Sequence, residues 1–140
     1  MNIRQFKETD RDFVTKSLLM SFMNGSKEVQ KINRDSYMNA HNSTINKLLD
    51  RCECLLACDD QDDDLIYGFV IFEGLSKVDV LHYLYVRKAF RKKGIARDLL
   101  TKTRKKHFVV ISHLTDEFKV ARLKGYWEKA IYDPYTRISK

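Results

Sequence analysis

From Val78 to Val86 the chain is a run of β-branched, aromatic and aliphatic residues, which predicts a strand. The period then changes. Ile95, Leu99, Leu100 and Thr103 recur at helical spacing, with Arg97, Asp98, Lys102 and Arg104 on the opposite side, so an amphipathic helix follows the strand. Upstream, Cys52 to Cys58 and Leu65 to Glu73 read as the two strands of a hairpin, and Gly74-Leu75-Ser76-Lys77 turns the chain into Val78. Asn2 to Phe6 forms a first strand. Thr9 or Asp10 then caps a helix with a buried stripe of Phe13, Val14, Ser17, Leu18 and Phe22, and Gly25-Ser26 breaks it. A second helix spans Arg34 to Leu49 through Tyr37, Ile45, Leu48 and Leu49, although the polar run His41 to Thr44 interrupts its stripe. Late in the chain, His107 to Leu114 is a strand rich in Val and Ile, and Thr115-Asp116-Glu117 starts a helix through Lys124. Pro134 falls in a late turn or edge strand. No repeat, low-complexity tract or linker divides the sequence, so residues 1–140 form one α/β domain.

Composition narrows the class. At 140 residues, 44% hydrophobic and 32% charged, the chain is long enough to bury a core and ordinary for a globular protein. No apolar run is long enough to cross a bilayer and Met1 to Asp10 carries no secretory core, so the expected location is cytoplasmic, away from membranes. Cys52, Cys54 and Cys58 are odd in number and lack the paired spacing of a zinc site. They read as reduced packing residues, with no histidine near them in sequence and no metal expected.

Charge is uneven. Of the formal net charge of +7, the window Arg87 to Lys106 contributes ten bases against Asp98 alone, leaving the rest slightly acidic. That window suits an anionic ligand and is also open to nucleic acid or an acidic protein surface, or to a plain solvated helix face. The run Asp59-Asp60-Gln61-Asp62-Asp63-Asp64 is an exposed hairpin loop that serves either solubility or contact with a basic substrate.

The densest chemistry lies where the strand meets the helix, at Arg91-Lys92-Lys93-Gly94-Ile95-Ala96. Gly94 lets the backbone approach a ligand, and the unpaired amides of the first helical turn point at whatever anion docks there. This segment resembles the acyl-coenzyme A signature of the GNAT family of N-acetyltransferases, Arg/Gln-x-x-Gly-x-Gly/Ala after the fourth strand, with Leu84-Tyr85-Val86 before it and Arg97-Asp98-Leu99-Leu100 after it also fitting. The resemblance implies a mixed, mostly antiparallel central sheet with helices on both faces and a splayed strand pair, Val78–Val86 parting from His107–Leu114. It further implies that acetyl-coenzyme A is the cofactor. The backbone at Leu84 and Val86 would hold the pantetheine, and Arg91, Lys92, Lys93, Gly94, Ile95 and Ala96 the pyrophosphate. The activity implied is acetyl transfer to an amine by direct attack on the thioester, the acceptor being a small molecule, a protein amine or an aminoacyl-RNA.

Such chemistry needs a base for the amine and an acid for the leaving thiolate. His82 is the candidate base, placed by strict alternation on the face of Leu84 and Val86, with Asp79 and Glu73 as lesser candidates. The resemblance covers Leu65 to Leu114 well and the last quarter poorly. In Tyr126-Trp127-Glu128-Lys129-Ala130-Ile131-Tyr132 a tryptophan holds the place where the family carries its acidic tyrosine, and an indole N–H is no such acid. Tyr126 is the replacement acid, with Tyr132 behind it. The alternative is a catalytically altered binding module that keeps the pocket and acts on nucleic acid, through the basic helix, or on a protein. Phe90 and Phe108 lie near that basic surface, at core spacing. The late segment Ile131 to Ile138 offers an edge for a second copy of the chain.

Overall fold

A computed structural model describes residues 1–25, 34–74, 79–103, 110–111 and 131–132. In chain order its elements are β1 (Asn2–Gln5), a 3-10 turn (Glu8–Asp10), α1 (Arg11–Gly25), α2 (Arg34–Arg51), β2 (Glu53–Cys58), β3 (Ile66–Gly74), β4 (Asp79–Val86), a second 3-10 turn (Lys88–Phe90), α3 (Ile95–Lys102), β5 (Val110–Ile111) and β6 (Ile131–Tyr132). The six strands form one sheet in sequential order. The first four pair antiparallel, whereas β4–β5 and β5–β6 are parallel. The helix expected over Thr115–Lys124 and the remainder of the His107–Leu114 strand lie outside the described residues.

Alternation along β2 and β3 divides the core between the two sheet faces. Phe69 and Ile71, with Cys54 and Leu56, join Val14 and Leu18 of α1 and Ile45 and Leu48 of α2 in one cluster. Val70, Phe72 and Ala57 face the other way and pack with Ile95, Leu99 and Leu100 of α3. Each of these fully buried side chains contributes about 1.5–3 kcal/mol if large and apolar, so both layers are needed to hold the sheet.

The polar run His41–Thr44 does not break α2. Thr44 Oγ1 donates to the Ala40 carbonyl at 3.2 Å and Asn46 Nδ2 to that of Asn42 at 2.9 Å, satisfying side chains within the helix. His41 Nε2 lies 2.8 Å from the Tyr83 hydroxyl, which joins α2 to β4. Before α1, Asp10 does not act as a simple cap. Its carboxylate takes two bonds from Arg4, at 2.8 and 2.9 Å, and one from the Lys7 amide at 2.8 Å. Burial opposes ionisation of Asp10, but those three donors outweigh it and hold the carboxyl below its usual range.

Two consequences are measurable. A Cβ added at Gly68 would stand 2.5 Å from the Tyr85 carbonyl oxygen and 3.1 Å from Val86 Cα, both backbone atoms of β4. Gly68→Ala is therefore expected to lower stability by about 1–3 kcal/mol in urea unfolding, by forcing β3 and β4 apart. His41 behaves differently. Burial pushes its pKa down to about 4, so it is neutral in the fold, while in the unfolded chain it titrates near 6.5. The unfolded state then binds the proton first as pH falls. Stability should drop between about pH 6.5 and 4, on the order of 2 kcal/mol, and His41→Gln should flatten that window in a pH series of denaturation midpoints.

Candidate functional site

Strand β4 carries an irregularity at its middle. Ile71 is opposite Tyr83 but Phe72 is opposite Leu81, so His82 is an extra residue, a β-bulge. The bulge resets the alternation. Leu81, Leu84 and Val86 all pack on the α3 side, and Tyr83 belongs to the α1–α2 side. His82 Nε2 lies 3.2 Å from Glu73 Oε1, and Glu73 Oε2 accepts from Cys52 Sγ at 3.3 Å, with Cys52 packed against the α1–α2 cluster. The expectation from strict alternation, that His82 shares a face with Leu84 and Val86, is thus corrected, because one inserted residue changes the parity of the strand.

On the edge away from β3, β4 pairs in parallel with β5 through Val80↔Val110 and Leu81↔Ile111. The Arg87 amide donates to the Tyr67 carbonyl of β3 at 2.8 Å, and the Tyr85 carbonyl lies over Gly68. Odd residues of this half of β4 therefore turn their backbone groups to β3, and the period of two turns those of Leu84 and Val86 toward the edge away from β3. The Val86 carbonyl accepts from Arg91 Nε at 2.8 Å, which ties the following turn to the strand end.

That turn is unusual in its backbone. Lys92 has φ 65° and Gly94 φ 82°, both left-handed, and Gly94 is the N-cap of α3 without a side-chain cap. The first intrahelical bond is from the Asp98 amide to the Gly94 carbonyl at 3.0 Å, so the amides of Ile95, Ala96 and Arg97 lie ahead of the helical ladder. A Cβ built on Gly94 meets nothing within 4 Å, so the space beside it is open. The arrangement can cradle an anion: amides and a helix dipole lie at its base, and Lys92 and Lys93 are exposed at its rim. Not every base serves it. Arg87 reaches the Ile66 carbonyl at 3.4 Å and lies 5.6 Å from the Phe90 ring centroid, a structural role.

Other expected candidates fall into place by contact. Phe90 stacks on Tyr67, centroids 4.3 Å apart, and packs with the α3 cluster, so its ring is used inside the molecule. In the acidic loop, Asp59 accepts from the Tyr67 hydroxyl and the Gln61 amide, and Asp62 from the Asp64 amide, folding the loop on itself. Tyr126, Trp127 and Phe108 lie outside the described residues, as does the side chain of Tyr132; the backbone of Tyr132 belongs to β6. The sequence analysis missed the contact of Cys52 and Glu73 with His82. The hairpin register carried the signal, because Glu53 opposite Phe72 brings Cys52 beside Glu73.

Residues 50–130 match the family model described as an acetyltransferase (GNAT) domain. In fold, the chain is similar to an acetyltransferase of the GNAT family from Staphylococcus aureus Mu50, with 20% identity over 88% of this chain and 78% of that one and a TM-score of 0.59. It is also similar to a ribosomal-protein-alanine N-acetyltransferase from Brucella melitensis biovar Abortus 2308, with 17% identity over 89% of both chains and a TM-score of 0.60. A third likeness is to PaiA N-acetyltransferase from Thermoplasma acidophilum in complex with coenzyme A, at 16% identity over 89% of this chain and 74% of that one, TM-score 0.52. No curated protein matches the sequence.

Proposed function

Because the chain belongs to the GNAT family of acetyltransferases, we propose that it transfers the acetyl group of acetyl-coenzyme A to an amine. The observation that carries this reading is the turn after β4, where the left-handed Gly94 caps α3 and leaves the first helical amides beside open space. The residues there fit the cofactor: Leu84 and Val86 offer backbone groups for its amide-bearing arm, and the amides of Ile95 and Ala96 with Lys92 and Lys93 suit its pyrophosphate. Bound there, the thioester would supply an activated acyl group. Arg91 braces the end of β4 through the Val86 carbonyl and so keeps edge and cradle in register.

An ammonium is no nucleophile, so the acceptor must lose a proton before it attacks. We assign that step to His82, which stands 3.2 Å from Glu73 Oε1 at the β4 bulge. The Glu73 carboxylate is a counter-charge for the imidazolium that forms. Tyr126 is assigned to protonate the departing thiolate. A cytoplasmic location accords with three cysteines among which no disulfide forms, and no helix among the described residues is long and apolar enough to cross a membrane.

Calorimetric titration with acetyl-coenzyme A, run beside adenosine diphosphate, tests the pocket. Stoichiometric binding preferring the thioester is expected, and Gly94→Val should abolish it while circular dichroism stays native, since a side chain would fill the cradle at a left-handed position. Normal cofactor affinity in that folded variant would remove the site. For the chemistry, His82→Gln should lower kcat by roughly 100-fold or more with cofactor affinity retained. Tyr126→Phe should likewise slow turnover alone. Cofactor binding without turnover on any amine would favour the binding module that Trp127 suggests, and a steep salt dependence of nucleic-acid binding would then identify its partner.

A further inference from the structure

Three residues far apart in sequence converge behind the bulge. Cys52 Sγ, a Glu73 carboxylate oxygen and a His82 ring nitrogen all lie within 4.8 Å of one another. The individual separations are 3.3 Å from sulfur to Oε2 and 3.2 Å from Nε2 to Oε1. Around a tetrahedral zinc ion, with bonds of about 2.3 Å to sulfur and about 2.0 Å to nitrogen and oxygen, neighbouring ligand atoms stand about 3.3–3.5 Å apart. The two measured contacts, each to a different Glu73 oxygen, are close to those lengths, and one donor atom from each residue lies within 4.8 Å of the other two. We infer that Cys52, Glu73 and His82 form a zinc-binding site, with a fourth position open to water.

The chemistry of the donors selects the metal. A thiolate and an imidazole suit a borderline-soft ion, and a lone carboxylate does not satisfy magnesium or calcium, which take oxygen ligands almost throughout. Charge balance favours zinc as well. On binding, the Cys52 thiol releases its proton to solvent, and thiolate plus carboxylate then neutralise the divalent ion in a setting where Glu73 and His82 are buried. Access is from the Cys52 side, which is half-buried and lines a surface cleft with Gln5, Phe6 and Cys54. The consequence for activity rests on the acetyltransfer reading: a ring that ligates zinc is withheld from the acceptor, so zinc inhibits the enzyme and release of the metal frees the base.

The test uses the full chain under reducing conditions with cobalt(II) as the spectroscopic probe and zinc as its competitor. A thiolate-to-cobalt charge-transfer band should appear at one equivalent and vanish on adding zinc. Cys52→Ser, which keeps a donor to Glu73, should remove the band, weaken zinc affinity by roughly 100-fold or more and leave turnover uninhibited by zinc. Mass-spectrometric mapping of alkylation on the unmutated protein should show zinc protecting Cys52, which covers the case of a variant that does not fold. No band in the unmutated protein, a band that survives Cys52→Ser, or no protection of Cys52 would each overturn the site. The cobalt band and the alkylation map need no acetyl transfer, so they separate failure of the zinc site from failure of the catalytic reading.

Discussion

The extra residue in β4 is the constraint from which the functional architecture follows. Up to Leu81 the strand has neighbours on both sides, and its residues obey one parity. At His82 the ladder to β3 slips by one residue. A bulge bends and twists the strand that contains it, and the change of face follows from that extra residue. As a result a single strand packs Leu84 and Val86 toward α3 and Tyr83 toward the α1–α2 side. The two cores then fix the two halves independently: Leu84 and Val86 pack with α3, and Tyr83 is held by His41 of α2.

Charge is partitioned with similar economy, and net charge is a poor guide to it. Arg4 and Arg11 are spent on Asp10 and on Glu8 with Asp50, fastening the N-terminal strand and the two helices. Arg87 and Arg91 bond the carbonyl oxygens of Ile66 at the start of β3 and Val86 at the end of β4. Asp98, the one acid in the basic window, lines a separate cleft with Met1, Asn2 and Thr101. What is left at the cradle is Lys92 and Lys93 with the helix amides. The concentrated positive charge of the window is therefore partly scaffolding.

Most of the fold was legible because its signals are local. The β2–β3 hairpin, the strand ending at Val86 and the helix starting at Ile95 agree with the observed elements to within a residue or two, each announced by period, turn residues or a glycine cap. The turn before α3 was legible for the same reason, being contiguous from Arg91 to Ala96. The face of His82 was not. His-Tyr-Leu reads as good strand sequence in either register, so nothing in Val78 to Val86 discloses a bulge. Nor does spacing bring Cys52, Glu73 and His82 together; only the pairing of β2 with β3 and β3 with β4 does so. Asp10 shows the same limit, since its tie to Arg4 across the turn replaced the local cap that its position suggested.

Lys92 carries a consequence of its own. A left-handed backbone at a residue with a side chain costs about 1 kcal/mol, and here two neighbouring lysines and Arg91 also repel one another. Arg91 on Val86 and the packing of α3 hold that tension in place. The remainder of the fold therefore carries the strain of keeping three positive charges together on one short turn.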